Sequence, residues 1–218
     1  MPVPKIGFSA FLKIINSNPR PQRSIVRDRC RPSSGGYDFH KSFRYRVQQV
    51  SFAGLTPAEV LASTQQISRE PERRSARRAL EQFFVWKEEH PGEMFSSQAI
   101  SFESPAGQFK LEFVPDFLLE IAGRRTAVHL WNTQHDLSTR LVRAALCSVA
   151  TRHPLKDRPD DFAVLSLRDR TLYRWSDADR ETAVQGERLL GLLDMQFAAA
   201  RTELGLPASP REEPRPLS

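Results

Sequence analysis

The stretch VPDFLLEIAGRRTAVHLWNT, residues 114–133, contains two apolar runs separated by Ala-Gly-Arg-Arg. Alternating apolar runs on either side of a glycine-containing turn are typical of a β-hairpin. The stretch therefore predicts two strands joined by a turn, with Asp116 where the first strand begins. Helical and strand patterns follow one another around it, which predicts an α/β or α+β domain with a central mixed sheet of about four to six strands flanked by helices.

The flanking segments carry their own signals for helices and strands. Thr56-Pro57-Ala58-Glu59 combines a capping threonine, a proline at the first helical position and a glutamate three residues after the cap, so a helix is predicted to about residue 66. Apolar spacing predicts further helices over residues 75–89, 137–152 and 179–204. The predicted strands are residues 100–102, 109–117, 126–131, 162–167 and 171–175, the last two forming a hairpin.

The positive charge of the chain is concentrated near its beginning. Residues 1–50 hold ten Lys or Arg residues against two acidic residues, a net charge of +8, whereas the other 168 residues hold 22 against 24, a net charge of −2. We therefore divide the chain into a basic, aromatic-containing N-terminal arm (residues 1–55), an α/β domain (residues 56–205) and a Pro-rich tail expected to be disordered (residues 206–218). A localised cationic segment favours a nucleic-acid partner.

Composition narrows the classes of protein that need to be considered. A chain of 218 residues with 39% hydrophobic residues is long enough for one sizeable core. It lacks an apolar run of membrane-spanning length and a signal peptide, so we expect a soluble, cytoplasmic protein. Cys30 and Cys147 do not have the paired spacing of a zinc site. Phosphate-binding glycine loops and the GxSxG elbow of serine hydrolases are not found.

A helix with ALEQFF followed by FVPDFLLEIAGRRTAVHLWNT resembles the PD-(D/E)XK nuclease superfamily, in particular the TnsA-like transposon-end endonucleases. The resemblance covers residues 73–175 and implies a restriction-endonuclease-like fold. It also implies a carboxylate cluster that holds Mg²⁺ or Mn²⁺ to activate water against a phosphodiester. By position, Glu81 would be the helix carboxylate and Asp116 the strand carboxylate.

The second strand of the hairpin departs from the family pattern. It should read acid, any residue, Lys, but His129 occupies the acidic position and Trp131 the lysine position. Imidazole serves Mg²⁺ poorly, and an indole offers neither a positive charge nor a metal ligand. Within an apolar strand, His129 is more typical of a hydrogen-bonded, buried histidine than of a ligand.

Three interpretations of this departure remain open. The site is degenerate and the fold survives as a binding module; or the missing charge is supplied elsewhere; or the strand alignment is wrong and the resemblance is accidental. For relocation, Lys110, Glu112 and Asp116 share one strand face if no bulge intervenes, and Arg140 and Arg143 lie three apart on a helix. The candidate catalytic residues are therefore Glu81, Asp116, His129 and Lys110, and the candidate metal ligands are Glu81, Asp116 and Glu112.

The leading prediction is a nucleic-acid-binding protein with a degenerate nuclease site, acting in DNA processing or mobile-element biology. The candidate phosphate contacts are Arg20, Arg23, Arg27, Arg29, Arg31, Lys41, Arg44, Arg46, Arg140 and Arg143. The resemblance implies a transposase or ATPase partner subunit. The alternatives are an active Mg²⁺- or Mn²⁺-dependent endonuclease with a rearranged site, and a protein-interaction subunit that uses the apolar face of the helix over residues 179–204.

Overall fold

A computed structural model of the protein describes residues 3–31 and 39–207. Two mixed sheets and seven α-helices form an α/β fold, as predicted. The helices are α1 (Phe8–Ile15), α2 (Pro19–Cys30), α3 (Lys41–Phe52), α4 (Pro57–Ser63), α5 (Glu70–Glu89), α6 (Thr139–Arg152) and α7 (Arg180–Glu203). The strands are β1 (Lys5–Gly7), β2 (Ile100–Glu103), β3 (Lys110–Phe113), β4 (Phe117–Ile121), β5 (Arg124–Trp131), β6 (Asp161–Ser166) and β7 (Leu172–Arg174).

The smaller sheet has the strand order β1-β3-β2, in which β1 is parallel and β2 antiparallel to β3. The larger sheet has the order β4-β5-β6-β7. Its central strands β5 and β6 are parallel and are connected through α6, which is the crossover that parallel strands require. Both outer strands are antiparallel to their neighbours.

The predicted hairpin is confirmed. Ile121 pairs with Arg124, so Ala122 and Gly123 form a two-residue loop in which both residues have positive φ, 51° and 72°. This is the backbone of a type I′ turn, whose twist matches that of the flanking strands. The hairpin between β6 and β7 is also confirmed, and the Thr56–Glu59 capping box is formed as predicted.

Helices cover both faces of the larger sheet. Because successive side chains of a strand point to opposite faces, the side chains of this sheet belong to two separate cores. Ala127 and Trp131 of β5 belong to the core built with α1, α2, α6 and α7. Val128 and Leu130 of the same strand belong to the core built with α3, α4 and α5. A strand buried on both faces reads as a nearly continuous apolar run, and AVHLW in β5 is such a run.

Residues 1–55 do not form a separate arm in the parts that the structure describes. Phe8, Phe11, Leu12 and Ile15 are spaced as one face of a helix, and α1 buries that face in the core. β1 pairs with β3, and α2 packs against α7. The prolines that resemble linker punctuation in the sequence include Pro19, which begins α2.

The predicted strand over residues 109–117 is broken at Val114-Pro115-Asp116. Because proline has no amide hydrogen, Pro115 cannot donate to a continuous ladder, and the chain passes there from one sheet to the other. Lys110 and Glu112 therefore lie in the smaller sheet while Asp116 precedes β4 of the larger one. The prediction that the three share a strand face was wrong. The predicted tail lies mostly outside the described residues.

Candidate functional site

Asp116 is held by three hydrogen-bonding groups at the start of β4. Its backbone N–H donates to the Val128 carbonyl (2.8 Å), and its Oδ2 accepts from the Leu130 N–H (2.7 Å). Its Oδ1 lies 3.2 Å from Nε of Arg44, which α3 brings to the sheet. The Asp116 side chain retains only 9% of its accessible surface. The carboxylate is therefore buried with an internal cation as its partner.

The buried position controls the protonation of Asp116. Burial raises the pKa of this carboxyl from 3.8 to about 6, although Arg44 and the Leu130 N–H partly oppose that rise. The pKa lies about one unit below neutral pH, so the group is mostly ionised at pH 7 and its contact with Arg44 is an ion pair.

His129 lies beside this pair in β5 and is almost completely buried. Its Nδ1 is 3.0 Å from the Val114 carbonyl oxygen, and because that oxygen can only accept, Nδ1 carries the proton. Its Nε2 then accepts from the Ser9 hydroxyl at 2.8 Å. Burial and the nearby Arg44 lower the pKa of His129 to about 3. His129 is a neutral, hydrogen-bonded histidine, and its 3.8 Å contact with Asp116 is not an ion pair.

Arg44 joins the members of this cluster. Besides Asp116, its guanidinium donates to the Ser9 hydroxyl (3.2 Å) and lies 3.4 Å from the Leu130 carbonyl oxygen. Its side chain is 31% exposed, so one side of the cluster reaches solvent at Arg44. We call Asp116, Arg44, His129 and Ser9 the Asp116 cluster.

The other predicted catalytic and metal-binding residues lie elsewhere. Glu81 is on the exposed side of α5 and pairs with Arg77 (3.0 Å). Lys110 pairs with Glu103 of the neighbouring strand (3.3 Å), and Glu112 is a half-buried residue of β3. Trp131, at the lysine position of the family pattern, is buried and donates its indole N–H to the His135 carbonyl (3.3 Å).

These placements do not fit the metal ion that the resemblance implies. Within residues 3–31 and 39–207, no three His, Cys, Asp or Glu side chains are close enough to hold a metal ion. Oδ2 of Asp116 already accepts from the Leu130 N–H, Oδ1 is ion-paired with Arg44, and the two other predicted ligands, Glu81 and Glu112, are not part of the cluster.

The predicted phosphate contacts fall into three groups. Arg20, Arg23 and Arg27 line an open groove of about 570 Å³ on α2, where Arg23 also pairs with Glu203 of α7. Arg46 is buried and its guanidinium donates to Ser63 and to the Ser42 carbonyl, and the half-buried Arg44 is paired with Asp116. The remaining residues lie at the surface, with Arg31 paired to Asp28, Arg140 to Glu181 and Arg143 to Asp177, and with Arg29 and Lys41 exposed.

A second cationic surface was not predicted. Arg74, Ser75 and Arg78 of α5 border a pocket of about 410 Å³ together with Phe39, Pro71 and Gln134. The sequence signal was available in Arg73-Arg74-Ser75-Ala76-Arg77-Arg78, whose paired arginines recur at helical spacing. Ser75 is 3.4 Å from the Asn132 amide, directly after β5. The pocket therefore lies at the carboxyl end of the strand that carries His129.

Comparison with protein-family models and with curated protein sequences gave no match. The nuclease resemblance accordingly stays a prediction drawn from the residues. Among the helices that the structure describes, none has the length and apolar character needed to span a membrane.

Proposed function

We propose that this protein binds DNA through surface arginines and does not cleave it efficiently, as a nuclease-like module in DNA processing. The observation that carries the proposal is the Arg44–Asp116 ion pair, which gives the candidate nuclease carboxylate a fixed protein cation. Binding is ascribed to α2 and its neighbouring surface.

The Asp116 cluster is poorly suited to phosphodiester hydrolysis. A metal-dependent nuclease needs carboxylates with free lone pairs around the ion, and a positive group facing the phosphate. Here Asp116 Oδ2 accepts from the Leu130 N–H and Oδ1 is ion-paired with Arg44, and the neutral His129 cannot replace an anionic ligand. Trp131 supplies no positive charge and its one donor is already used.

The exposed face of α2 is suited to a phosphate backbone. Arg20, Arg23 and Arg27 follow one another at i, i+3 and i+7, so they lie on one side of the helix and span about 10 Å along its axis. Val26 and Cys30, on the adjacent side of α2, are buried in the core, which fixes the position of the helix. Among the described residues, no acidic side chain pairs with Arg20 or Arg27, so phosphate binding breaks no ion pair there.

Salt-dependent binding of a labelled duplex tests this proposal. Each phosphate neutralised by a cation contributes about 0.9 to the slope of log affinity against log salt. We therefore expect the double substitution Arg20→Gln and Arg27→Gln to lower the slope by about two and to weaken binding of every sequence alike. Arg140→Gln with Arg143→Gln is the matched control, because it removes the same charge from α6 at residues that do not border the α2 groove.

The outcomes distinguish whether the protein binds DNA from whether it binds DNA through α2. A control variant that loses as much slope as the α2 variant would move the interface away from α2. Wild-type protein that binds no DNA at low salt would contradict the proposal as a whole.

The exposed side of α7 favours protein interaction as a second candidate function. Leu190, Leu193 and Phe197 are buried in the core, but Val184, Leu192 and Met195 are 45%, 55% and 70% exposed. Leu192 and Met195 also border a groove of about 370 Å³ between α2 and α7. A partner subunit of the transposase or ATPase class would bury these side chains. Self-association that survives high salt and is abolished by Leu192→Lys would favour an interface between copies instead.

A further inference from the structure

The pocket between Phe39 and α5 combines an aromatic ring, two guanidinium groups and a side-chain amide. Phe39 is 37% exposed, and its ring packs edge-on against the His40 ring with 5.4 Å between centroids. Arg74 and Arg78 border the pocket from α5, one helical turn apart, and Gln134 borders it from the segment after β5. We call this the Phe39 pocket.

We propose that the Phe39 pocket binds one unpaired nucleotide of a DNA strand. The inference rests on the proposed function, DNA binding, and adds which form of DNA the protein prefers. The ring of Phe39 stacks on the base, the two arginines contact its phosphates, and the polar groups of Gln134 and Ser75 face the edge of the base.

Each part of the pocket has the chemistry that an unpaired nucleotide requires. Stacking on an aromatic side chain is favourable for any base, because every base has a π face. Among the described residues, Arg74 pairs with Glu70 at 3.5 Å on the surface, an interaction weak enough to yield to a phosphate. When the Gln134 amide is oriented with its oxygen towards Arg78, it accepts from the Arg78 guanidinium, which positions both groups at the pocket wall.

The exposed aromatic ring of the pocket favours an unpaired base over a paired one. Bases inside a duplex are already stacked on both sides and present no free face to an aromatic ring. A base that is extrahelical or part of a single strand can enter, and it does not have to be unstacked first. The volume of about 410 Å³ falls within the usual range of small-molecule sites.

Fluorescence anisotropy with three labelled DNAs tests this inference. The probes are a short duplex, the same duplex with one extrahelical thymidine, and the corresponding single strand. We expect the wild-type protein to bind the second and third probes about tenfold more tightly than the first, as one stacked base would produce. Phe39→Ala should remove this preference and leave duplex affinity nearly unchanged, and Arg78→Gln should weaken binding of the unpaired probes.

Two matched variants control for the loss of an exposed side chain. Phe95 is 50% exposed and borders a different cavity, so Phe95→Ala should keep the preference. Arg124 is exposed at the other end of β5, about 23 Å along the strand from Trp131, so Arg124→Gln should also keep it.

The two proposals fail in different ways. Equal affinity for the three probes, or a preference that Phe39→Ala leaves intact, would overturn the inference while DNA binding stands. Absence of binding to all three probes would overturn the proposed function as well. If Phe39→Ala lowers the thermal midpoint, Phe39→Tyr keeps a stacking ring and must retain the preference.

Discussion

Replacing Arg44 with methionine should destabilise the protein in a way that depends on pH. The change removes the guanidinium that lies 3.2 Å from Asp116 and keeps an apolar side chain of similar length. Breaking a buried pair leaves an unpaired charge, but a carboxyl group can escape that state by binding a proton. The penalty is therefore limited by the free energy of protonation.

The limit follows from the pKa of Asp116. In the wild type, its rise from 3.8 to about 6 makes the carboxyl group cost about 3 kcal/mol at pH 7, at about 1.4 kcal/mol per pKa unit. If the loss of Arg44 raises this pKa above 7, the carboxyl group is protonated in the folded state at pH 7. Its cost to the folding free energy then cannot exceed about 4 kcal/mol, which is the free energy of protonating a group of pKa 3.8 at pH 7. The ionic penalty of Arg44→Met is thus about 1 kcal/mol at pH 7.

The same difference in pKa between the folded and unfolded states determines how the destabilisation by Arg44→Met changes with pH. Below pH 6 the folded state of both proteins holds the Asp116 proton, so the ionic penalty falls to almost zero at pH 5. The lost hydrogen bond to Ser9 adds a pH-independent term of about 1 kcal/mol. Loss of Arg44 also raises the pKa of His129, so the variant loses less unfolding free energy in acid than it would with Asp116 alone.

Urea unfolding of the wild type and Arg44→Met at pH 5 and pH 7 measures both terms. We expect the destabilisation to be about 1 kcal/mol larger at pH 7 than at pH 5. In the Asp116→Asn background the same substitution should lose the part of this difference that comes from Asp116, and only the smaller contribution of His129 should remain. An equal penalty at both pH values in the Asp116 protein would refute the reasoning.

Three further predictions concern stability. Because the pKa of His129 is lowered to about 3, its neutral form stabilises the protein less and less as pH falls below 6.5, whereas Asp116, whose pKa is raised, stabilises the protein as pH falls below 6. Asp116→Asn removes the second effect. It should therefore steepen the fall of the unfolding free energy between pH 6 and pH 4 by about 1.4 kcal/mol per pH unit, measured by urea titration. Gly186→Ala should destabilise the protein, because its new Cβ would be 2.4 Å from the Ala144 carbonyl oxygen. Gly191→Ala meets nothing within 4 Å and should stabilise the protein by about 0.5–1 kcal/mol. A lower melting midpoint for Gly191→Ala would contradict this. Phe11→Ala should lower the unfolding free energy by about 3–5 kcal/mol, because the side chain is fully buried. A change near zero would favour the original prediction that residues 1–55 form a separate arm.

The features that depend on nearby residues could be predicted from the sequence. Ala122-Gly123 sets the hairpin register, and Thr56 and Glu59 cap their helix, because each depends on residues a few positions apart. The helical spacing of Phe8, Phe11 and Leu12 was equally local, but the surrounding prolines and arginines favoured an arm. The structure instead buries that apolar face.

The candidate site depends on contacts that sequence spacing does not encode. Asp116 was predicted at the start of its strand, but its partner Arg44 is 72 positions away and Ser9 is 120 positions from His129. Arg44 was predicted to bind phosphate because a cation in a basic segment has no visible partner in one sequence. The break at Pro115 separates Lys110 and Glu112 from Asp116, and it removes the relocated carboxylate set.

Combined scoring of DNA binding and nicking tests the central claim most directly. Supercoiled and linear DNA are titrated with the wild type and with Asp116→Asn in EDTA, Mg²⁺ and Mn²⁺. A DNA-binding module whose Asp116 is ion-paired with Arg44 should bind without requiring a metal ion and leave supercoiled DNA intact in all three conditions. Metal-dependent nicking by the wild type that Asp116→Asn abolishes would contradict the account.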